Sequence, residues 1–499
     1  MEIFGHDLLN GFVTAASPFN LACAFLGVLL GTLVGVLPGI GPTSGIAILL
    51  PITASLGPIP AIIMLAGIYY GAMYGGSTTS ILINMPGEIA SVVTAVDGYQ
   101  LAKKGRAGPA LSIAAISSFF AGTLSLVGLT FFAPPLAEVA LSFGPPEYFA
   151  LMVLALTVVI SLSGKVLVKG VIAGLLGFLV AAIGTDPVSG AFRFTFGVPK
   201  LMGGIDFVVA CIGLFAVGEI LVNTEQAVKA VYDAKLGRLL PTVRELKDSL
   251  GAMVRSTVIG FFMGLLPGVS TGITSFVAYD VEKKLSKHPE RFGQGAIEGV
   301  AAAEGANNAA TSGAFVPLMA LGLPPGPALA VLLGAFMIYG LQPGPLLFEQ
   351  HPDFAWAVIA SMYIGNVMLL VLNLPLVGIW ARVALLPYPV LAGLVLAFSF
   401  IGAFSVRNSL FDVWVMLVFG AIGYLMKKLD FPQAPLILCL VLAPRLEASL
   451  YQALKLGNGS AAILFNRPVS LVLMLAAAAA TVLSLWLSKK KGVPVGDED

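Results

Sequence analysis

Charge is what this sequence has least of. Only 11% of its 499 residues are Asp, Glu, Lys or Arg, against roughly 25% in a soluble globular chain, and that shortage excludes a soluble domain for most of its length. A net charge of +1 excludes the basic surface that a nucleic-acid partner requires. Cysteine is nearly missing: Cys23, Cys211 and Cys439 stand far apart in apolar surroundings. They make neither a disulfide framework nor a metal site, and read as packed thiols. The three histidines, His6, His288 and His351, fall near the start of the chain and in loops. No G-x-x-x-x-G-K-[ST] loop occurs, which excludes a nucleotide-driven pump contained in this chain; an ATPase on a separate subunit stays open. Alternating segments of about ten residues, the mark of a membrane β-barrel, are absent. MEIFGHDLLN, residues 1–10, has no basic stretch, so a cleaved signal peptide is not expected.

What is present is apolar. Hydrophobic residues make up 58% of the chain and mean hydropathy is +0.96. A hydrocarbon core of about 30 Å takes roughly 20 apolar residues to cross as a helix, so the length accommodates about 11–13 transmembrane elements. The fold expected is an all-α polytopic membrane protein. Candidate spans are 19–37, 59–74, 107–133, 147–163, 166–184, 204–223, 251–266, 296–321, 327–341, 355–379, 387–405, 411–427, 432–444 and 468–488. Several are too short to cross alone, so discontinuous or re-entrant helices are expected among them. The chain divides into a first half, 1–223, a polar connector, 224–255, a second half, 256–445, and a last helix with a cytoplasmic tail, 446–499. Six basic and four acidic residues make the connector amphipathic. It is expected along the cytoplasmic membrane surface, with a regulatory docking helix as the alternative.

Two prolines and four glycines interrupt an apolar stretch in GVLPGIGPTSGI, 35–46, and a related break, GLLPGVSTGIT, recurs at 264–274. Each is followed by a small, polar element that closes on Pro-Gly: YGGSTTSILINMPG at 74–87 and EGANNAATSGAFVPLMALGLPPG at 304–326. Lysine and arginine orient the copies. Lys103, Lys104 and Arg106 in the loop at 97–106, Lys283, Lys284, Lys287 and Arg291 in that at 280–291, and the tail Lys489–Lys491 are placed in the cytoplasm. The loops at 55–60 and 341–353 contain no Lys or Arg and are placed outside. The same motif order thus meets opposite sides of the membrane, the pattern of an inverted-topology repeat. Two direct copies with unrelated loops are the alternative.

Unwound backbone survives at membrane depth only where protein, ions or water satisfy it. Broken helices present free N–H groups to an anion and carbonyls or hydroxyls to a small cation. The candidate substrate-binding residues are Gly39, Gly41, Thr43 and Ser44 beside the first break; Ser77, Thr78, Thr79, Ser80 and Asn84; Ser270 and Thr271 beside the second break; and Asn307, Asn308, Thr311 and Ser312. Close helix packing is the competing use for hydroxyls and small residues. No arginine occurs in these elements, so anion recognition falls to amides and hydroxyls. Adjacent Asn307 and Asn308 would diverge by about 100° on a helix, so an unwound turn there is expected to aim both inward. Glu304, with Thr274, is the candidate for ion coupling; Glu88, next to a turn, reads as interfacial.

GVLPGIGPTSG, YGGSTTSILINMPGE and EGVAAAEGANNAATSGAFVPLMALGLPPG resemble the large membrane subunit of the bacterial tripartite tricarboxylate transporters, the TctA family, over roughly residues 15–450. The resemblance implies an ion-driven importer of organic carboxylates in the inner membrane, coupled to Na+ or H+ and without a cofactor. It also implies a small four-helix membrane subunit and a periplasmic solute-binding protein as partners. It does not identify the carboxylate.

Two other classes compete with this reading. Gly268-Val269-Ser270-Thr271-Gly272 matches the G-x-S-x-G pattern of a hydrolase, but that motif needs a strand-to-helix elbow and a partner base. A passive channel stays open, though inverted broken helices suit alternating access better. The charge pattern yields a direct test. With the N-terminus outside and the C-terminus inside, Lys104→Cys and Lys284→Cys should both resist an impermeant thiol reagent added to intact spheroplasts. Labelling of either from outside defeats the inverted arrangement.

Overall fold

The computed structural model describes residues 2–37, 40–162, 166–186, 188–225, 238–383 and 386–490. Helix dominates, and the one sheet among these residues is a two-stranded antiparallel pair, Gly184–Thr185 with Phe192–Arg193. The first helices are α1 (Glu2–Ala15), α2 (Pro18–Val36), α3 (Pro42–Thr53), α4 (Pro58–Ile83), α5 (Ser91–Lys103) and α6 (Ala107–Leu141). Next come α7 (Pro145–Leu162), α8 (Leu167–Ala181), and α9 (Phe207–Cys211) joined through a π-helical turn at Ile212–Val217 to α10 (Gly218–Glu225). The second half holds α11 (Val243–Gly264), α12 (Thr271–Leu285), α13 (Ile297–Gly313), α14 (Phe315–Leu321), α15 (Pro327–Ile338), α16 (Pro345–Gln350) and α17 (Pro352–Asn373). The chain continues through α18 (Val377–Val383), α19 (Tyr388–Arg407), α20 (Leu410–Lys428), α21 (Gln433–Leu456), α22 (Ile463–Asn466) and α23 (Pro468–Lys490). Ten helices among the described residues are long and apolar enough to cross a membrane, and α3, α8 and α15 are shorter apolar helices. The chain is therefore an all-α, multi-pass membrane protein.

Packing divides the chain into two compact units, Met1–Ala140 with Val208–Tyr424, and Leu141–Phe207 with Leu425–Asp499. This division cuts across the sequence halves 1–223 and 256–445. Within the smaller unit, Arg193 grips Glu447 with two bonds of 2.7 and 3.0 Å, and Arg467 pairs with the buried Glu147 at 2.5 Å.

The larger unit is organised by two helix pairs. Gly27, Gly31 and Gly35 of α2 abut the backbone at Met64, Ile68 and Ala72 of α4, and Gly67, Gly71 and Gly75 of α4 face back onto α2. Both runs advance together, so α2 and α4 are parallel and α3 carries the chain back between them. In the second half Gly260 and Gly264 of α11 lie against Ala306 and Ala310 of α13 in the same parallel sense. Lipid tails supply no hydrophobic drive for helices to associate, so small residues at every fourth position let backbones meet and gain dispersion contact. These repeated spacings were readable in the sequence alongside the Pro-Gly breaks.

The two pairs run in opposite directions. Phe315 meets Tyr69 at 6.0 Å between ring centres, Asn307 meets Glu88, Glu304 meets Thr94, and the Ala296 amide meets Asp97. Numbers rise along α4 and α5 as they fall along α13. At one end the first basic loop touches the residues that flank the second. Lys104 Nζ donates to the Gln294 carbonyl at 2.6 Å. Asp97 Oδ1 accepts from the amides of Gly293, Gly295 and Ala296 at 2.7–2.8 Å, and its Oδ2 accepts from the Tyr279 hydroxyl at 2.7 Å. The loops at 97–106 and 280–291 thus belong to one face of this unit.

Within each half the two breaks are neighbours. The Gly268 amide donates to the Pro325 carbonyl at 2.9 Å, and Gly87 packs onto Gly35 and Gly76. Positive φ angles at Asn84 (55°) and Gly322 (69°) end α4 and α14, and Gly268 (79°) turns the chain between α11 and α12. Helix α11 starts inside the connector, at Val243, because Thr242 and Glu245 form a reciprocal cap with bonds of 3.2 and 2.7 Å. Glu245 also pairs with Arg106, and Arg255 holds Glu282 through bonds of 2.9 and 2.7 Å. Residues 226–237 of the connector, and the tail beyond 490, lie outside the described residues.

The pairing predicts a sharp contrast between glycines. A Cβ on Gly31 would stand 2.6 Å from the Ile68 carbonyl oxygen, whereas one on Gly393 would meet nothing within 4 Å. Overpacking of this kind costs about 1–3 kcal/mol. Gly31→Ala should therefore lower the unfolding temperature of the purified protein by several degrees, and Gly393→Ala should leave it unchanged.

Candidate functional site

The polar side chains of the larger unit converge where α4, α5, α6, α13 and α17 meet. Helical spacing puts Tyr70, Tyr74 and Ser77 along one side of α4 and Glu304, Asn308 and Ser312 along one side of α13. Asn366 and Asn373, seven residues apart, share a side of α17. Glu304 is wholly buried. Its Oε1 accepts from the Thr94 hydroxyl and its Oε2 from Ser118 Oγ at 3.2 Å. Asn308 Nδ2 donates to the same Ser118 Oγ at 2.7 Å and to the Glu304 carbonyl at 3.1 Å. Glu88 accepts from the Ala90 amide at 2.6 Å and from Asn307 Nδ2 at 3.2 Å. All the partners named for these two carboxylates are neutral.

Two small cavities adjoin at Tyr74, each about the size of one ordered water. The first is lined by Tyr74, Ser77, Thr78, Ser118 and Asn373 together with aliphatic side chains. The second is lined by Tyr70, Tyr74, Asn308, Ser312 and Asn366 with apolar neighbours. The Tyr74 hydroxyl donates to Asn366 Oδ1 at 3.0 Å, and Asn366 Nδ2 donates to the Phe119 carbonyl and Thr123 Oγ1 at 3.0 and 2.9 Å. Ser77 points toward Glu304, yet its hydroxyl has no partner at hydrogen-bonding geometry. The Tyr70 hydroxyl, Asn373 Oδ1 and Asn307 Oδ1 are likewise buried and unpartnered. A buried polar atom left so costs about 1–3 kcal/mol, and several gathered at one place mark where a ligand would be received.

The structure sorts the residues proposed from sequence. Ser77, Thr78, Asn308 and Ser312 line the cavities, and Glu304 and Asn307 are bonded into the same polar cluster. Thr79, Ser80 and Thr311 are buried nearby, but their hydroxyls bond to carbonyls of their own helices, Gly76 for the first two and Asn307 for the third. Asn84 is exposed and ends α4 in a left-handed conformation. The residues beside the Leu-Pro-Gly turns are engaged elsewhere. Ser44 Oγ donates to the Phe215 carbonyl in the π-helical turn at 2.9 Å. Ser270 caps α12 by accepting from the Ile273 amide, and Thr274 donates to the Ser270 carbonyl. Gly41 caps α3, and Thr43 and Thr271 sit half-buried in the first turns of α3 and α12. Gly39 lies outside the described residues.

Three expectations are corrected. Residues 304–313 form unbroken helix, as do 74–83, because the breaks fall later, at 84–90 and 322–326. Asn307 and Asn308 therefore diverge, one to Glu88 and the other to Ser118. Glu88 is buried and not interfacial, folded in by the Ala90 and Asn307 donors. Ser270 sits at a helix-to-helix break and not at a strand-to-helix elbow, so the geometry of a hydrolase nucleophile is absent there. The residues that sequence reasoning missed are Tyr70, Tyr74, Thr94, Ser118, Asn366 and Asn373. The isolated asparagines in an otherwise apolar α17 were the available signal.

The profile of the Tripartite tricarboxylate transporter TctA family matches residues 21–438. An uncharacterized 52.8 kDa protein in the TAR-I ttuC' 3'region of Agrobacterium vitis is 47% identical over 480 residues, covering 96% of each chain. An uncharacterized protein in the TAR-II ttuC' 3'region of the same organism is 42% identical over 242 residues, which is 48% of this chain and 100% of that relative. No solved structure matches. A profile match along most of the chain, joined to near end-to-end similarity with a relative, shows that this membrane protein belongs to the tripartite tricarboxylate transporter TctA family.

Proposed function

We propose that this chain is the membrane-embedded translocating subunit of a binding-protein-dependent secondary transporter that imports organic carboxylates of tricarboxylate or dicarboxylate type across the bacterial inner membrane. A Na+ or H+ gradient drives it by symport. A periplasmic solute-binding protein delivers the substrate, and a small four-helix membrane subunit completes the assembly. The observation that carries this reading is the second cavity, where the unpartnered Tyr70 hydroxyl and the Ser312 hydroxyl face a buried space that Asn308 also lines. An anion leaving water needs its hydration replaced by fixed donors, and neutral donors hold it without the deep trap that a buried arginine would make. In the arrangement described, the cavity is far smaller than a tricarboxylate. Admission therefore requires helix movement, which the breaks at 84–90 and 322–326 allow without loss of the α4 and α13 hydrogen-bond ladders.

Membership of a transporter family supports the reading against an enzyme. The test is uptake into proteoliposomes that hold this chain and its small subunit, supplied with binding protein. An imposed Na+ or H+ gradient should drive carboxylate accumulation, and ATP should not. Asn308→Ala should weaken apparent affinity about 10- to 150-fold, the worth of one hydrogen bond to a charged group. Tyr70→Phe should lower affinity while leaving the unfolding temperature unchanged or raised, since it removes an unpartnered buried hydroxyl. Ser405→Ala, on the exposed side of α19, should be silent. Wild-type affinity in Asn308→Ala, Tyr70→Phe and Ser312→Ala alike would place the substrate elsewhere.

A further inference from the structure

The two cavities beside Tyr74 differ in chemistry. The second offers donors. The first offers oxygen: Ser77 Oγ and Asn373 Oδ1 are both unpartnered, and both residues are more than nine-tenths buried. Asn373 has already committed its amide, which donates to the Leu369 carbonyl at 3.0 Å. Its carbonyl oxygen is what remains to serve the cavity. Ser118 adds a third oxygen, which donates to Glu304 and accepts from Asn308 but keeps a lone pair. Behind it stands Glu304, a buried carboxylate whose partners among the described residues are hydroxyls.

A water molecule could fill this space, but it would leave the carboxylate without a compensating charge. In a medium of low dielectric an uncompensated carboxylate is strongly disfavoured, and a cation beside it removes that penalty. The space has the size of one water. Calcium gathers about six to eight oxygens, commonly from several carboxylates, more than these walls supply. A small monovalent ion fits both the volume and the single carboxylate behind the Ser118 wall.

We propose that the cavity bounded by Ser77, Ser118 and Asn373 is a sodium-binding site, with Glu304 as its counter-charge. Asn373 and Ser118 thereby become ion-binding residues, and helices α4, α6, α13 and α17 all contribute to one site. Ser118 also gives a physical link to the neighbouring cavity. The oxygen that faces the cation accepts from Asn308, whose amide reaches the donor-lined space. Cation occupancy therefore fixes a side chain that also lines the neighbouring cavity, a contact through which each site can bias the other as symport demands. The role in transport rests on the ion-driven reading above; the binding itself does not.

Binding is tested without transport. The full chain, purified in detergent, is unfolded thermally in NaCl and in choline chloride at equal ionic strength, and radioactive sodium binding is measured by equilibrium dialysis. Sodium should raise the unfolding temperature saturably, because a ligand bound only by the folded state stabilises it. Ser77→Ala and Asn373→Leu should each raise the half-saturating concentration about tenfold or more. Ser77→Ala should leave the unfolding temperature in choline unchanged, since its hydroxyl has no protein partner, and Asn373→Leu gives up only the bond to the Leu369 carbonyl. Glu304→Gln should abolish the sodium dependence. Equal unfolding temperatures in the two salts with no bound sodium would overturn the proposal, as would unchanged half-saturation in both Ser77→Ala and Asn373→Leu. Carboxylate uptake driven by protons with no sodium requirement would overturn the coupling role of the site while leaving the transporter reading intact. Sodium binding in a chain that never moves a carboxylate would have the opposite consequence.

Discussion

Backbone contact between α2 and α4, and between α11 and α13, is the constraint on which the larger unit depends. Helices in lipid are not driven together by exclusion from water, so they associate where small side chains let dispersion act between backbones. The glycines at 27, 31, 35, 67, 71 and 75, and Gly260 and Gly264 against Ala306 and Ala310, provide that approach. Once these stripes are committed, the rotation of each helix is set. On α13 the residues Glu304, Asn308 and Ser312 lie about 160° from the packing stripe, given about 100° per residue. They are turned away from α11 toward α4, α5 and α6. On α4 the tyrosines at 70 and 74 lie about 60° from the glycine stripe, which aims them past α2 toward α13 and α17. The polar site is thus a by-product of where glycine and alanine are placed.

The opposed directions of the two pairs explain why one carboxylate comes from each half. Glu88 follows α4 at the Pro86-Gly87 break, and Glu304 sits within α13. Because numbers fall along α13 as they rise along α4 and α5, the two acids approach from opposite ends, and each bonds to the other half, Glu88 through Asn307 and Glu304 through Thr94 and Ser118. Sequence distance between them is large, and spatial distance is small. At the end marked by the basic loops, Asp97 does related work with a different outcome. It is buried, but four donors saturate it, three of them backbone amides of the 293–296 turn. A carboxylate so fully satisfied fastens two segments together and leaves nothing for a ligand. Glu304, beside unpartnered oxygens, is the contrasting case.

The smaller unit shares this glycine contact, with Gly170 and Gly177 of α8 against the backbone of Ile160 and Leu436, and adds ion pairs to it. Its ion pairs Arg193–Glu447 and Arg467–Glu147 join segments far apart in sequence. Arg193 comes from the short hairpin and Glu447 from α21. Guanidinium forks clamp carboxylates in a fixed plane, so these pairs specify geometry where the glycine stripes of the larger unit do not reach.

By itself the sequence determined the class of the protein and the Pro-Gly places where helices break, and it set the expectation that the basic loops share one side. Hydropathy, proline and glycine act locally, and lysine and arginine respond to the membrane directly, so each is legible residue by residue. It also picked out Ser77, Asn308, Ser312 and Glu304, because polar groups in an apolar chain are costly and need a reason. It misplaced the unwinding onto the polar clusters, since Ser, Thr and Asn next to glycine resemble a loop in composition. In the fold their hydroxyls bond within the helix or across it, and the ladder stays intact through 83 and 313. Only the tertiary structure could join Thr94, Ser118, Asn366 and Asn373 to this site, or show Glu88 buried. Each of them is an ordinary residue on its own helix, and its partner comes from a helix that only packing brings within reach.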